Sequence, residues 1–157
     1  MSKQSVQAFL DENAPDVDVV DLDANSTTAT MSVNWGIEPA QVAKTLVLRV
    51  GAEALLLVAC GDSRLDNKRS KSVFGGKAKM LSPRDAEDLT GHSVGGVCPF
   101  GLSTPLPIYF DLLLKDFDEV VPAAGSPRAA LRIHPVRMAD LVGGTWVDVC
   151  NPGPSSL

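Results

Sequence analysis

The chain has 157 residues, 45% hydrophobic and 21% charged, with a mean hydropathy of +0.09, which sets it apart from disordered and fibrous sequences and predicts one folded domain over residues 1–157. Its longest uninterrupted apolar run, residues 54–60, is far short of the roughly 20 residues a membrane-crossing helix needs. The net charge of −5 argues at first against a phosphate-rich partner, because phosphate binding wants lysine and arginine.

Taken in order, residues 2–13 place Val6, Phe9 and Leu10 at helical spacing ahead of Pro15, and predict an amphipathic helix. Residues 17–22 alternate as a strand does, and Asn25 or Ser26 can cap a second helix that ends near Gly36. Pro39 sits in a first-turn position of a short helix that delivers Lys44 to a strand. Residues 45–50 and 54–60 are apolar runs joined by Gly51-Ala52-Glu53, the pattern of a largely buried hairpin at the centre of a sheet.

Residues 65–74 form a basic helix ended by Gly75-Gly76, and residues 78–81 a short strand. Ser82-Pro83-Arg84-Asp85 combines a cap, a first-position proline and an acid three residues after the cap, and opens a helix that closes at Gly91. Strands follow at 107–111, 119–123 and 129–133, a helix at 135–142 and a strand at 145–150, with a frayed tail beyond. Strands and helices intermix without regular alternation, which predicts an α+β fold with a mixed, curved β-sheet and surrounding helices.

Charge is unevenly spread. Residues 1–40 carry one base against seven acids, residues 41–84 nine against three, and residues 85–157 four against nine. Half of the fourteen basic residues fall between Arg64 and Arg84, a cationic island that is either a local phosphate-binding face or a solvated helix surface. The three cysteines, at 60, 98 and 150, form no Cys-x-x-Cys pair, and His92 and His134 lie 42 positions apart. Neither a disulfide framework nor a metal site is indicated, and no metal or cofactor is expected. The polar start of the chain lacks a secretory pattern, so a cytoplasmic location without membrane attachment is expected.

Four stretches can carry chemistry. Lys44 stands at the start of a strand, either snorkelling to water or held at a cleft edge where its charge acts at short range. In Gly61-Asp62-Ser63-Arg64-Leu65-Asp66-Asn67-Lys68, Asp62 can accept backbone N–H bonds while Arg64 and Lys68 reach a phosphate; a capped surface turn explains the same residues. Residues 91–101, with glycines at 91, 95, 96 and 101, let backbone N–H groups approach a ligand or simply make a tight connection. Residues 123–133, with Gly125-Ser126, form a pocket wall or a close-packed turn.

Taken together, Ala43-Lys44-Thr45-Leu46-Val47, Gly61-Asp62-x-Arg64-x-Asp66-x-Lys68, Gly95-Gly96-Val97-Cys98-Pro99-Phe100-Gly101 and Ala124-Gly125-Ser126 resemble, in this order, motifs of the YbaK/ProX family of aminoacyl-tRNA deacylases. The likeness covers about residues 26–150. It implies a free-standing editing domain that hydrolyses the ester of a mischarged tRNA, most often tRNA-Pro carrying a small non-cognate amino acid, with no metal. Its partners would be the tRNA acceptor end and a prolyl-tRNA synthetase.

Under the resemblance Lys44 is the family's key lysine, Gly95 and Gly96 its glycine loop, and Gly125 and Ser126 the turn lining the amino-acid pocket. Asp62, Arg64 and Lys68 fall on the motif beside the substrate, where structural roles are equally open. Family members that act on alanyl-tRNA commonly show a Gly-x-x-x-Pro loop, whereas here Gly91 is followed four residues later by Gly95. Alanine, cysteine, serine and threonine all stay open as the amino acid removed. An activated ester needs alignment and oxyanion stabilisation more than a strong nucleophile, so the missing triad is no objection. Two competing readings are a non-catalytic module that binds an amino acid or tRNA end, and a cysteine hydrolase built on Cys98.

Overall fold

The computed structural model describes residues 2–21, 37–93, 96–126 and 128–153. Helix α1 (Ser2–Asn13) and the two-residue strand β1 (Val20–Asp21) lead to the central hairpin of β2 (Val42–Val50) and β3 (Glu53–Cys60). Its strands pair antiparallel from Ala43 with Cys60 to Val50 with Glu53, and Gly51 takes the turn at φ 62°, a conformation that costs glycine nothing. β4 (Arg64–Leu65), α2 (Asn67–Phe74), β5 (Ala78–Met80) and α3 (Pro83–Thr90) follow. The chain then forms β6 (Ile108–Asp111), β7 (Val121–Pro122), β8 (Ala129–Ala130), α4 (Pro135–Val142), β9 (Thr145–Val147) and β10 (Cys150–Asn151).

The main sheet runs β5-β2-β3-β6-β9, with β7 also on β2. Pairs β2·β3 and β2·β5 are antiparallel; β2·β7, β3·β6 and β6·β9 are parallel, so the fold is α+β with a mixed sheet, as the sequence predicts. Side chains alternate across β2. Ala43 and Val47 pack on the face covered by α1, α3, α4 and residues 97–100, among Val6, Leu10, Ala86, Val97, Cys98 and Phe100. Leu46 and Leu48 point to the other face, against Leu57, Ala59, Phe74, Val149 and Cys150. Phe100, Phe110, Leu10, Leu57 and Met138 are fully buried, each stabilising the fold by about 1.5–3 kcal/mol through the apolar area removed from water.

Helix ends follow the sequence signals closely. Asp66 accepts from the Arg69 N–H (2.8 Å) to cap α2, which stops at Gly75 with φ 78°. Ser82 Oγ accepts from the Asp85 N–H (3.2 Å) to cap α3, which closes at Gly91. Three differences matter. The helix expected before Lys44 is a 3-10 turn, Pro39–Gln41, and β2 already begins at Val42, because Val42 and Ala43 pair with Val121 and Pro122. The basic helix starts at Asn67, since Arg64 and Leu65 pair with Asn151 and Cys150. The strand expected over 145–150 is broken in two: the buried Asp111 carboxylate accepts from the N–H groups of Val149 and Cys150 (both 3.0 Å) and from that of Leu113 (3.1 Å). The helix expected from Asn25 or Ser26 to Gly36 lies outside the described residues.

A candidate active site at the open edge of a central strand

β2 has β3 along one edge and shares the other between two short strands. β7 occupies Val42–Ala43 and β5 occupies Leu48–Val50, with the Leu81 N–H donating to Val47 O (3.0 Å). Residues 44–46 are left without a strand partner on that edge among the described residues. Because Val47 O points outward, the same strand phase turns the N–H and C=O of Thr45 outward into the opening.

Lys44 is opposite Ala59 in β3 and half-buried. Its Nζ donates to Ser63 O (2.7 Å), and Ser63 is itself pinned by Oγ donating to Cys60 O (2.7 Å). The amine is therefore held at a fixed point, and two of its three protons are left for other acceptors. The Cys150 thiol sits in the same surroundings and is pushed up to about 12, chiefly by burial and then by the Asp111 carboxylate, against the lowering effects of Ser63 and Lys44. Asp111, which sequence patterning did not mark, thus shapes the floor beneath Lys44 by holding β10 in place.

On the other face of β2 the glycine segments meet. Gly125 N–H donates to Gly96 O (3.0 Å), and Gly96 N–H donates to Ser93 O (2.9 Å). A methyl group on Gly96 would stand 2.6 Å from Ser126 Cα and 2.7 Å from Gly125 C, closer than any real side chain tolerates. Gly125 itself has φ 88°, and Ser126 Oγ accepts from the Arg128 N–H (3.2 Å). Gly96, Gly125 and Ser126 form one contact just beyond β7, at the end of β2 that carries Lys44. Gly95 lies outside the described residues.

The remaining sequence-marked residues spread along the turn after β3. Asp62 backs onto Gly153, where an added methyl would stand 2.8 Å from Asp62 Cγ. Arg64 and Lys68 are exposed. Asp66 caps α2 and accepts from Asn151 Nδ2 (3.2 Å), while Arg69 is consumed by Asp148, Asp66, Asn151 and Cys150 O. Arg69 thus ties α2 to β10.

Cys98 is fully buried, with its thiol pushed up to about 12 by burial, so it carries no thiolate. Its Sγ lies 3.7 Å from His92 Nε2, which also bonds Phe100 O (2.8 Å), a pairing across six residues that the sequence reading missed. Burial lowers the His92 pKa from its ordinary 6.5 despite the opposing bond to Phe100 O. The unfolded chain takes up a proton near pH 6.5, and the folded one only at lower pH. Stability is therefore expected to be full above about pH 6.5 and to fall as pH drops below it. Urea midpoints at pH 7.5 and 5.5 check this, and His92→Gln should flatten the difference.

A separate groove of about 500 Å³ is lined by Asp16, Asp18, Glu119, Arg132, His134 and Arg137 among others, and bridged by the Arg137–Asp16 and Arg132–Glu119 ion pairs. Of the four marked stretches only the end of the last, Arg132 and Ile133, reaches it. Among the described residues, no three His, Cys, Asp or Glu side chains gather as a metal site requires, and no helix is long and apolar enough to cross a membrane.

An anchored lysine at an open sheet edge, with a glycine contact on the opposite face of the strand, suits chemistry in which negative charge builds on an ester. The profile of the aminoacyl-tRNA editing domain family matches residues 5–141, and the chain belongs to this family. The chain is an enzyme of the aminoacyl-tRNA deacylase class. It is 38% identical to the uncharacterized protein YwhH of Bacillus subtilis over 96% of this chain and 98% of that one. It is 30% identical to the multifunctional Ser/Thr-tRNA deacylase ProXp-y of Escherichia coli, covering 80% of this chain and 78% of the other. A crystal structure of a proposed trans-editing enzyme for prolyl-tRNA synthetase superposes with a TM-score of 0.89 at 33% identity, covering 96% of this chain and 98% of that chain.

Proposed function

We propose that this chain acts in trans to remove small amino acids, serine and threonine foremost, wrongly esterified to tRNA-Pro, and that hydrolysis takes place at the opening on β2. The observation that carries this reading is that residues 44–46 of β2 have no strand partner on one edge among the described residues, with Lys44 anchored on Ser63 O on one face and the Gly96–Ser126 contact on the other. Water adds to the ester carbonyl, the bond from the acyl carbon to the ribose oxygen breaks, and that oxygen leaves with a proton. The two free protons of the Lys44 ammonium stabilise the negative charge that builds on the acyl oxygen. Each misfitting methylene is worth about 1–3 kcal/mol, which is how a pocket of this kind admits a short acyl chain and refuses proline.

Charge supports a nucleic-acid substrate. Among the described residues Arg49, Arg64, Lys68, Lys71, Lys77, Lys79, Arg84 and Arg128 join no ion pair. Arg49 and Lys79 stand directly opposite each other on β2 and β5, both exposed, a like-charge placement that costs stability unless an anion bridges it. The acceptor end of the tRNA supplies such phosphates, and its affinity should weaken as salt rises. The test is a panel of proline tRNAs charged with serine, threonine, alanine, cysteine and proline, mixed with the purified chain. Loss of label from the small non-cognate esters and retention of prolyl ester supports the reading. Binding without release favours a non-catalytic module instead.

A further inference from the structure

Thr45 follows the marked lysine and no motif role attaches to it, yet its backbone N–H and C=O turn toward the opening, and among the described residues neither they nor its hydroxyl have a partner. Its backbone N–H and C=O face the stretch of edge between β7 and β5, where neither strand pairs. Its Oγ1 is shut off from water and has no hydrogen-bond partner among the described residues. Buried hydroxyls are nearly always paired, and one left without a partner points to a ligand that completes the set. By the alternation of β2, Thr45 lies on the face that carries Val97 and Cys98, whereas Lys44 lies on the other.

We infer that Thr45 contacts the substrate, its hydroxyl bonding a polar atom of the acyl group while its outward backbone edge receives the chain of atoms around the ester. The inference rests on the proposed deacylation at this opening. The residue as a whole is partly exposed although its oxygen is covered. Among the described residues no group bonds the hydroxyl, so a turn about χ1 that exchanges it with the methyl group gives up no hydrogen bond there. The hydroxyl can both donate and accept, which fits either the side-chain hydroxyl of serine and threonine or the α-amine common to all aminoacyl esters.

Thr45→Val keeps the shape and removes the hydroxyl; Thr45→Ser keeps the hydroxyl. The expected result is a drop of about ten- to hundredfold in kcat/KM on seryl-tRNA-Pro for Thr45→Val, rescue by Thr45→Ser, and an unfolding midpoint for Thr45→Val no lower than that of the parent chain. Loss on the seryl ester but not on the alanyl ester assigns the partner to the side-chain hydroxyl, and equal loss on both assigns it to the α-amine. In a second measurement, hydrogen exchange of the Thr45 amide should slow on adding the non-hydrolysable amide analogue of 3′-seryl-adenosine. Unchanged kcat/KM on both esters in Thr45→Val, while the parent chain hydrolyses them, overturns the inference and leaves the proposed function intact. A parent chain that hydrolyses none of the esters overturns the proposed function instead.

Discussion

Lys44→Ala is expected to lower single-turnover deacylation of seryl-tRNA-Pro by about a hundred- to thousandfold, the usual consequence of removing a donor aimed at a developing oxyanion. The Lys44 amine is fixed by a 2.7 Å bond to Ser63 O and stands where two partial strands leave β2 open. Its protons are thus placed before substrate arrives, and little reorganisation is needed as charge develops. The same bond sets the structural cost: a hydrogen bond from a charged group contributes about 1.5–3 kcal/mol. Part of this returns as water reaches Ser63 O, so the melting temperature should fall by only a few degrees. Lys44→Met, which keeps the apolar stem, should be as inactive as the alanine variant and closer to the parent in stability. Rates within threefold of the parent in both variants would remove Lys44 from the chemistry.

Gly96→Ala is expected to damage both fold and activity. The added methyl would meet Ser126 Cα at 2.6 Å and Gly125 C at 2.7 Å, and these are backbone atoms that cannot rotate away. Either the turn at Gly125 moves or the loop carrying Gly96 lifts off, and the bond between Gly125 N–H and Gly96 O is lost with it. Overpacking of this kind costs about 1–3 kcal/mol, or roughly 3–10 °C in melting temperature for a chain of this size. Deacylation should fall at least tenfold even at temperatures where the variant is folded, because the displaced turn borders the opening. Gly51→Asn is the control, since nothing lies within 4 Å of a methyl added at Gly51 and asparagine tolerates its positive φ. Circular dichroism melts and deacylation rates on the two variants check this.

What the sequence made legible is mostly local. The Ser82-Pro83-x-Asp85 start and Gly91 stop of α3, the Gly75 stop of α2 and the Gly51-Ala52 turn each encode their geometry within a few residues, and each forms as expected. The glycine segments read either as backbone open to a ligand or as tight packed turns, and the structure shows Gly96 packed on Gly125 and Ser126. What stayed hidden depends on pairing across long separations. The break at residues 148–149 comes from Asp111, 38 positions before Val149, and nothing near either residue announces it. The opening on β2 exists because antiparallel β5 and parallel β7, 41 residues apart in sequence from Met80 to Val121, pair with opposite ends of the same edge and stop short of each other. Thr45 looks like any strand threonine until that edge is known. His92 and Cys98 are only six residues apart, and their contact was within reach of a reading that asked which side chains the glycine-rich loop folds together.

The most direct measurement is the release of labelled serine from seryl-tRNA-Pro under single-turnover conditions, with enzyme in excess and prolyl-tRNA-Pro run alongside. Rapid release of serine by the parent chain, none of proline, and near-abolished release in Lys44→Ala is the predicted result. Tight binding of both tRNAs with serine release no faster than the uncatalysed ester would contradict hydrolysis at this opening.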